Sequence, residues 1–313
     1  MQLFKIKIEK RLRRGVRMRK AMAWSFLELK WLLFVVPSLL FYLFFFIVPS
    51  ISATFYSLTD WDGITYSFIG LQNYRDMLDD DNIKTAFINT LIYALSITVV
   101  QNTLGLFLAV LLDRKMRMVN MMRTVFFMPA IFSSLVIGYV WGYMLEPNIG
   151  VVNHVLSVLN LDALKQDWLG NPHYGIAMII LVTVWQFCGY SMVIFLAGLQ
   201  GIPKDMYESA SIEGAGAVDK FKYITFPLLA PSFTINILLT TIGCLKLFDQ
   251  IYAMTRGGPG YSTQSVATMI YTVGFGSGGQ WGYGTAISIV LFAFILVFSS
   301  IQVTLLRRRE VDM

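Results

Sequence analysis

GIPKDMYESASIEGAGAVDKFKYITFPLLAP, residues Gly201 to Pro231, is a polar, charged island between two long apolar runs, Tyr174–Leu199 and Leu228–Leu247. Its composition is helical. Pro203 suits a first helical position, because proline lacks the N–H that a helix start leaves unpaired anyway. Asp205 follows, where a carboxylate complements the positive end of the helix. Gly214 supplies a stop. A second helical piece is expected from about Ala217 to Phe226, with Asp219 near its start and Pro227 ending it. The pattern predicts a helix–glycine–helix elbow between two membrane spans, too polar to enter lipid.

Outward from the elbow the chain is apolar. Of its 313 residues, 56% are hydrophobic and 14% charged, where a soluble domain carries about 25% charged residues. A span needs about 20 mostly apolar residues to cross the hydrocarbon core. Six runs qualify, at about 31–57, 85–112, 123–146, 174–200, 228–251 and 284–306. Pro37, Pro49 and Pro129 lie within or at the edges of these runs, where neighbouring helices re-satisfy the freed backbone groups. Residues 1–30 carry ten Lys/Arg. They read as a tail whose charge fixes orientation, or as a basic helix on the anionic inner leaflet. The apolar run that follows exceeds the core of a signal peptide, about 7–15 residues long, so it reads as an uncleaved first span.

Lys/Arg bias sets orientation. With the amino end inside, the cytoplasmic segments hold 20 Lys/Arg and the outer ones 4, namely Arg75, Lys84, Lys165 and Arg256. Both termini and the elbow are therefore expected in the cytoplasm. The expected organisation is a basic segment 1–30, a six-helix domain 31–306 with the elbow at 201–227, and a basic tail 307–313. The first outer loop is acidic, with Asp60, Asp62, Asp76 and Asp79-Asp80-Asp81, and the second holds an apolar segment, Val151–Leu161, expected as a short helix. The net charge of +6 sits beside apolar runs and does not suggest nucleic acid. Cys188 and Cys244 lie inside spans and imply no disulfide framework. No GxxxxGK[ST] loop is present to hold ATP. His154 and His173 stand alone, so no metal site is expected.

The elbow resembles the EAA loop of binding-protein-dependent ABC importer permeases. That pattern is Glu-Ala-Ala, three residues, Gly, nine residues, Ile, one residue, Leu-Pro. Here Glu208-Ser209-Ala210 leads through Ser211-Ile212-Glu213 to Gly214, and nine residues later come Ile224, Thr225, Phe226 and Pro227. Ser209 and Phe226 depart from the pattern but keep its size class or hydrophobicity. The resemblance implies that Pro203, Met206, Tyr207, Glu208, Ser209, Ala210 and Gly214 form the dock for an ATP-hydrolysing subunit. Glu208 is expected to brace the elbow internally.

Ionisable and polar groups inside spans are costly and usually face a bundle interior or a cavity. In span five Lys246 and Asp249 are three apart and are expected to share a helix face and pair. Thr240 and Cys244 lie on the same span. Span four holds Trp185, Gln186, Gly189 and Tyr190. Rings stack on the C–H faces of sugars and amides bond their hydroxyls, so these residues are expected to line a sugar cavity with Thr240, Cys244 and Lys246. The other reading is helix packing, with Gly189 allowing close approach and Gln186 bonding a neighbour. Asp249 is expected to brace Lys246 or a gate. Asn89, Gln101 and Asn102 in span two are expected to join helices.

The run Phe248–Pro259, then Tyr271, Gly282–Ala286 and Ala197–Pro203, resembles the maltose-type branch of carbohydrate importers, and the likeness covers nearly the whole chain from about residue 31. It implies an all-α membrane protein of six transmembrane helices with the ABC importer type I permease fold, in the plasma membrane of a bacterium or archaeon. It implies a second homologous permease, two cytoplasmic ATPase domains that carry the ATP and Mg, and an extracytoplasmic sugar-binding protein. This chain is expected to do no covalent chemistry and to hold no cofactor. A glycerol-phosphate-type permease shares many of these features. An ion-coupled secondary transporter would show corresponding broken helices in two halves, and none is evident in the sequence.

Overall fold

The computed structural model describes residues 33–114, 117–276 and 279–308. The basic segment 1–30 and most of the tail, 309–313, lie outside the described residues. Two compact units meet in sequence between Phe55 and Tyr56. The first contains most of helix α1 (Leu33–Tyr56), apolar and 24 residues long. A π-turn at Leu43–Ile47 precedes its Pro49. A wider turn just before a proline relieves the clash of the ring with the preceding turn.

The second unit is all-helical among the described residues, apart from one isolated bridge between Thr59 and Phe68. Helix α2 (Gln72–Asp79) leads into α3 (Asp81–Leu112). Asp80 caps α3, its Oδ1 accepting from Asn82 N at 2.9 Å, which satisfies a backbone donor that the helix start leaves unpaired. Helix α4 (Val119–Phe127) runs through a 3₁₀ turn, Met128–Ile131, to a break, after which α5 (Ser134–Met144) departs at 94°. Pro129 and the extended backbone of Phe132 and Ser133 account for that break. The expected run 123–146 is thus a bent pair. Helix α6 (Val151–Val158) is the short helix expected in the second loop.

Helix α7 (Pro172–Gly201) starts on Asn171, whose side chain accepts from His173 N, with Pro172 at the first position. The elbow follows as α8 (Lys204–Ile212) and α9 (Ala217–Leu228), and α10 (Ala230–Leu245) leaves α9 at 63°. Pro227 was expected to end the second piece; instead the helix passes through it to Leu228. A π-turn at Phe221–Thr225 precedes Pro227 just as the first unit's π-turn precedes Pro49. The fifth run also ends early. Leu245 closes α10, Lys246 leaves helical geometry, and α11 (Asp249–Met254) is a separate helix. Helices α12 (Val266–Phe275) and α13 (Trp281–Arg307) complete the unit.

By length and composition α1, α3, α7 and α13 are each able to cross a membrane, and each bent pair would add one span. Helices α3 and α7 form the spine. Gly105 of α3 lets them approach, since an added Cβ would meet Ser191 Cβ at 2.6 Å. One apolar cluster joins Tyr93, Ile97, Ile179, Val182 and Leu245; another joins Leu108, Leu112, Met192, Phe195 and Leu229 at the elbow end.

Candidate functional site

Two regions carry chemistry, a cavity beside the break after Leu245 and the elbow at the other end of α10. The cavity encloses about 670 Å³ between α3, the α4–α5 break, α7, α10 and α11. Tyr190, Thr240, Cys244 and Lys246 lie on its wall, as do Asp249, Gln101, Thr183 and Gln250.

Three residues expected on that wall are elsewhere. Gln186 is fully enclosed; its Nε2 donates to Phe132 O at 3.1 Å, and its Oε1 accepts from Gln250 Nε2 at 3.0 Å. Gly189 packs against the α4 backbone, where any Cβ would collide with the Phe126 carbonyl. Trp185 meets Trp141 edge-on at 5.5 Å. For Gln186 and Gly189 the packing alternative describes the geometry.

The expected pairing of Lys246 with Asp249 assumed a continuous helix. The helix stops between them, no ion pair joins them among the described residues, and both side chains are exposed. The cavity therefore carries one cationic and one anionic group that are not spent on each other. Gln101 is held by donation to Ser191 Oγ at 2.8 Å and to Thr240 Oγ1 at 3.4 Å. Asn102 reaches Thr240 Oγ1 of α10 at 3.5 Å, and Asn89 donates to the carbonyls of Ser262 and Gln264, so these span-two amides do join helices and loops. Gln101 was expected to join helices, and Gln250 stands out in the sequence only as a polar group of span five, with no assigned contact to cargo. The signal available was an amide inside an apolar run, and it does not say which side faces open space.

In the elbow, α8 buries no residue, which leaves its surface available. Pro203 is its N-cap, one place before the position expected. The stop is a Schellman motif. Gly214 has φ +83°, Ala215 N donates to Ala210 O at 2.9 Å, and Gly214 N donates to Ser211 O at 3.1 Å. Tyr207 packs its ring on the elbow-end cluster, and its hydroxyl meets Thr225 Oγ1 at 2.9 Å, which ties α8 to α9. Lys220 Nζ donates to Ser211 Oγ at 2.6 Å, a second tie. Glu208 is exposed and bonds nothing among the described residues, so these ties hold the elbow in place of the expected Glu208 brace. Met206, Ser209 and Ala210 line a cleft of about 550 Å³ with Tyr223 and Ile224 of α9.

Residues 101–311 match the family model described as binding-protein-dependent transport system inner membrane component. The chain is 36% identical over 282 residues to a probable starch degradation products transport system permease protein of Thermoanaerobacterium thermosulfurigenes, covering 90% of this chain and 95% of that one. It is 31% identical to the trehalose/maltose transport system permease protein MalF of Thermococcus litoralis, covering 89% and 94%. Among solved structures, a chain of a bacterial alginate ABC transporter, crystallised with an alginate pentasaccharide-bound periplasmic protein, superposes with a TM-score of 0.80 at 23% identity, over 91% of this chain and 97% of that one. That likeness speaks for the fold.

Proposed function

The chain belongs to the family of binding-protein-dependent transport system inner membrane components, and from that premise we propose that it is the permease subunit of an ATP-driven importer of a di- or oligosaccharide. In this reading six spans cross the plasma membrane, each bent pair counting as one, with both termini in the cytoplasm. A second permease completes the channel. Two ATPase domains holding ATP and Mg dock on α8, through Pro203, Met206, Glu208, Ser209, Ala210 and the Gly214 stop, and a sugar-binding protein delivers cargo from outside.

The observation that carries the reading is the elbow, a surface helix with no buried residue, ended by a left-handed glycine and tied to α9. Because α8 follows α7 after Ile202 and Pro203, and α9 leads into α10, a push on α8 moves two helices that wall the cavity. Closure of the ATPase pair would supply that push and switch the cavity between its two openings. Tyr190, Thr240, Cys244, Lys246 and Asp249 are the residues assigned to cargo or gate, and their mixture of hydroxyls, charged groups and a ring suits a hydroxyl-rich ligand.

The test is uptake of radiolabelled maltose to maltopentaose by the assembled transporter in liposomes. Uptake that requires ATP on the elbow side and survives ionophores supports the reading. Uptake driven by an ion gradient without ATP would overturn it.

A further inference from the structure

The polarity of one amide on the cavity wall is fixed by a chain of hydrogen bonds that begins at the helix break. Phe132 is extended and its carbonyl lies where α4 and α5 part. A main-chain carbonyl only accepts. The end of Gln186 at 3.1 Å from it must therefore be the NH₂, which leaves Oε1 facing the next partner. Oε1 also only accepts, so the end of Gln250 at 3.0 Å from it must be its NH₂. Gln250 is 2% exposed and stands on the cavity wall. Its remaining atom, Oε1, has no protein partner among the described residues and is not sealed within the packing. Amide orientation is ordinarily ambiguous; here an acceptor-only group at the start of the chain decides it twice over.

Resting on the sugar reading above, we propose that Gln250 is a specificity-determining residue, a fixed acceptor for a hydroxyl hydrogen of the cargo, and that Gln186 is the residue that positions it. Gln101 of α3 also stands on the wall. Its Nε2 donates to the hydroxyls of Ser191 and Thr240, which can donate as well as accept, so its polarity is not fixed in the same way. The cavity thus offers from α11 an oxygen acceptor whose amide cannot turn over without breaking bonds behind the wall. The hydroxyls of a polyol supply such donors. A ligand offering only acceptors there leaves Gln250 Oε1 unpaired.

The experiment uses the assembled transporter in liposomes, with methionine as a volume-conserving replacement that removes the hydrogen bonds. For maltotriose, Gln250→Met raises KM about tenfold, the effect of one lost bond in a desolvated site, with the saturated rate kept. Gln186→Met does the same through Gln250, and the double variant is no worse than either single one. An unchanged KM in Gln250→Met, or single effects that multiply in the double variant, overturns the proposal. A second arm needs no cargo. In a Cys188→Ser, Cys244→Ser background, Gln250→Cys reacts with a small charged thiol reagent and Gln186→Cys does not. An unreactive Cys at 250 overturns the wall assignment whatever the uptake shows. If no sugar is taken up by the unaltered transporter while the cysteine at 250 reacts, the proposed cargo class falls and the geometry of the wall stands.

Discussion

The cavity and the elbow stand at opposite ends of α10 and are built on opposite terms. Around the cavity, polar groups are enclosed and bonded in series. Gln186 and Gln250 are almost wholly buried, and each amide is held by the next. In the elbow, α8 buries no residue fully and is held to α9 by side-chain ties from Tyr207 and Lys220. A region that must present a surface to a partner leaves its residues free of internal duties. A region that must choose a small ligand holds its amides against one another, so that a free acceptor such as Gln250 Oε1 points one way.

The substitution that tests this contrast most severely is at Gly214. No atom lies within 4 Å of an added Cβ there, so space is not the obstacle, but φ is +83°. A side chain in that conformation costs about 1–2 kcal/mol, and a β-branched one costs more. Gly214→Val is expected to leave the protein inserted, to reduce uptake to background and to weaken co-purification of the ATPase subunits. Normal uptake would show that the elbow's stop is not part of the coupling. Gly189→Leu is the counterpart at the cavity end. Its side chain must displace the α4 backbone at Phe126, at about 1–3 kcal/mol for overpacking, and the expected readout is a lower melting temperature of the purified complex.

Smaller changes sharpen the contrast. Thr225→Val removes the tie from Tyr207 and is expected to cost about 1 kcal/mol locally, seen as uptake reduced several-fold with ATPase binding retained. Lys246 and Asp249 form no ion pair, so Lys246→Met and Asp249→Asn are expected to add, with a coupling below about 0.5 kcal/mol. A larger coupling would mean that they pair in another state of the cycle.

The smallest effect is in the loop before α2. The N–H of Ile64, then the N–H and hydroxyl of Thr65, hold the Asp62 carboxyl below its ordinary range. A depressed carboxylate contributes order that is fully present above its unfolded value, about 3.9, and that is lost as pH falls through the lower folded value. Hydrogen exchange at Ile64 and Thr65 is expected to hold steady, after correction for intrinsic rates, from neutral pH to about 4 and to rise in stronger acid. Asp62→Asn should remove that acid transition.

The same contrast explains what the sequence made legible. The elbow is a contiguous motif. Its carboxylate and its glycine act on their own backbone, so residue type and spacing place them, and they place Pro203 to within one position. The apolar runs are local as well, and their centres were readable. The bends were not, because Pro129 and Pro231 are compatible with straight, kinked or ended helices until neighbours decide. The cavity is a matter of which side of each helix meets which neighbour. Gln186 and Tyr190 are four apart on α7, yet Gln186 is fully enclosed and Tyr190 is half-exposed on the cavity wall. Spacing alone reports the shared side, not where it ends. Asp249 and Gln250 reach the cavity only because α10 stops at Leu245, a break that an apolar run does not announce.

The most direct test of the account is whether α8 touches an ATPase subunit. Ser209 is exposed on that helix, lines its cleft and has no role in the packing. In the Cys188→Ser, Cys244→Ser background, Ser209→Cys carrying a photoreactive maleimide should cross-link to the ATPase subunit of the assembled transporter. The yield should change between nucleotide-free and ATP-bound states, and Gly214→Val should suppress it. A transporter that imports sugar at the normal rate, with no cross-link from position 209 in any nucleotide state, would contradict the account.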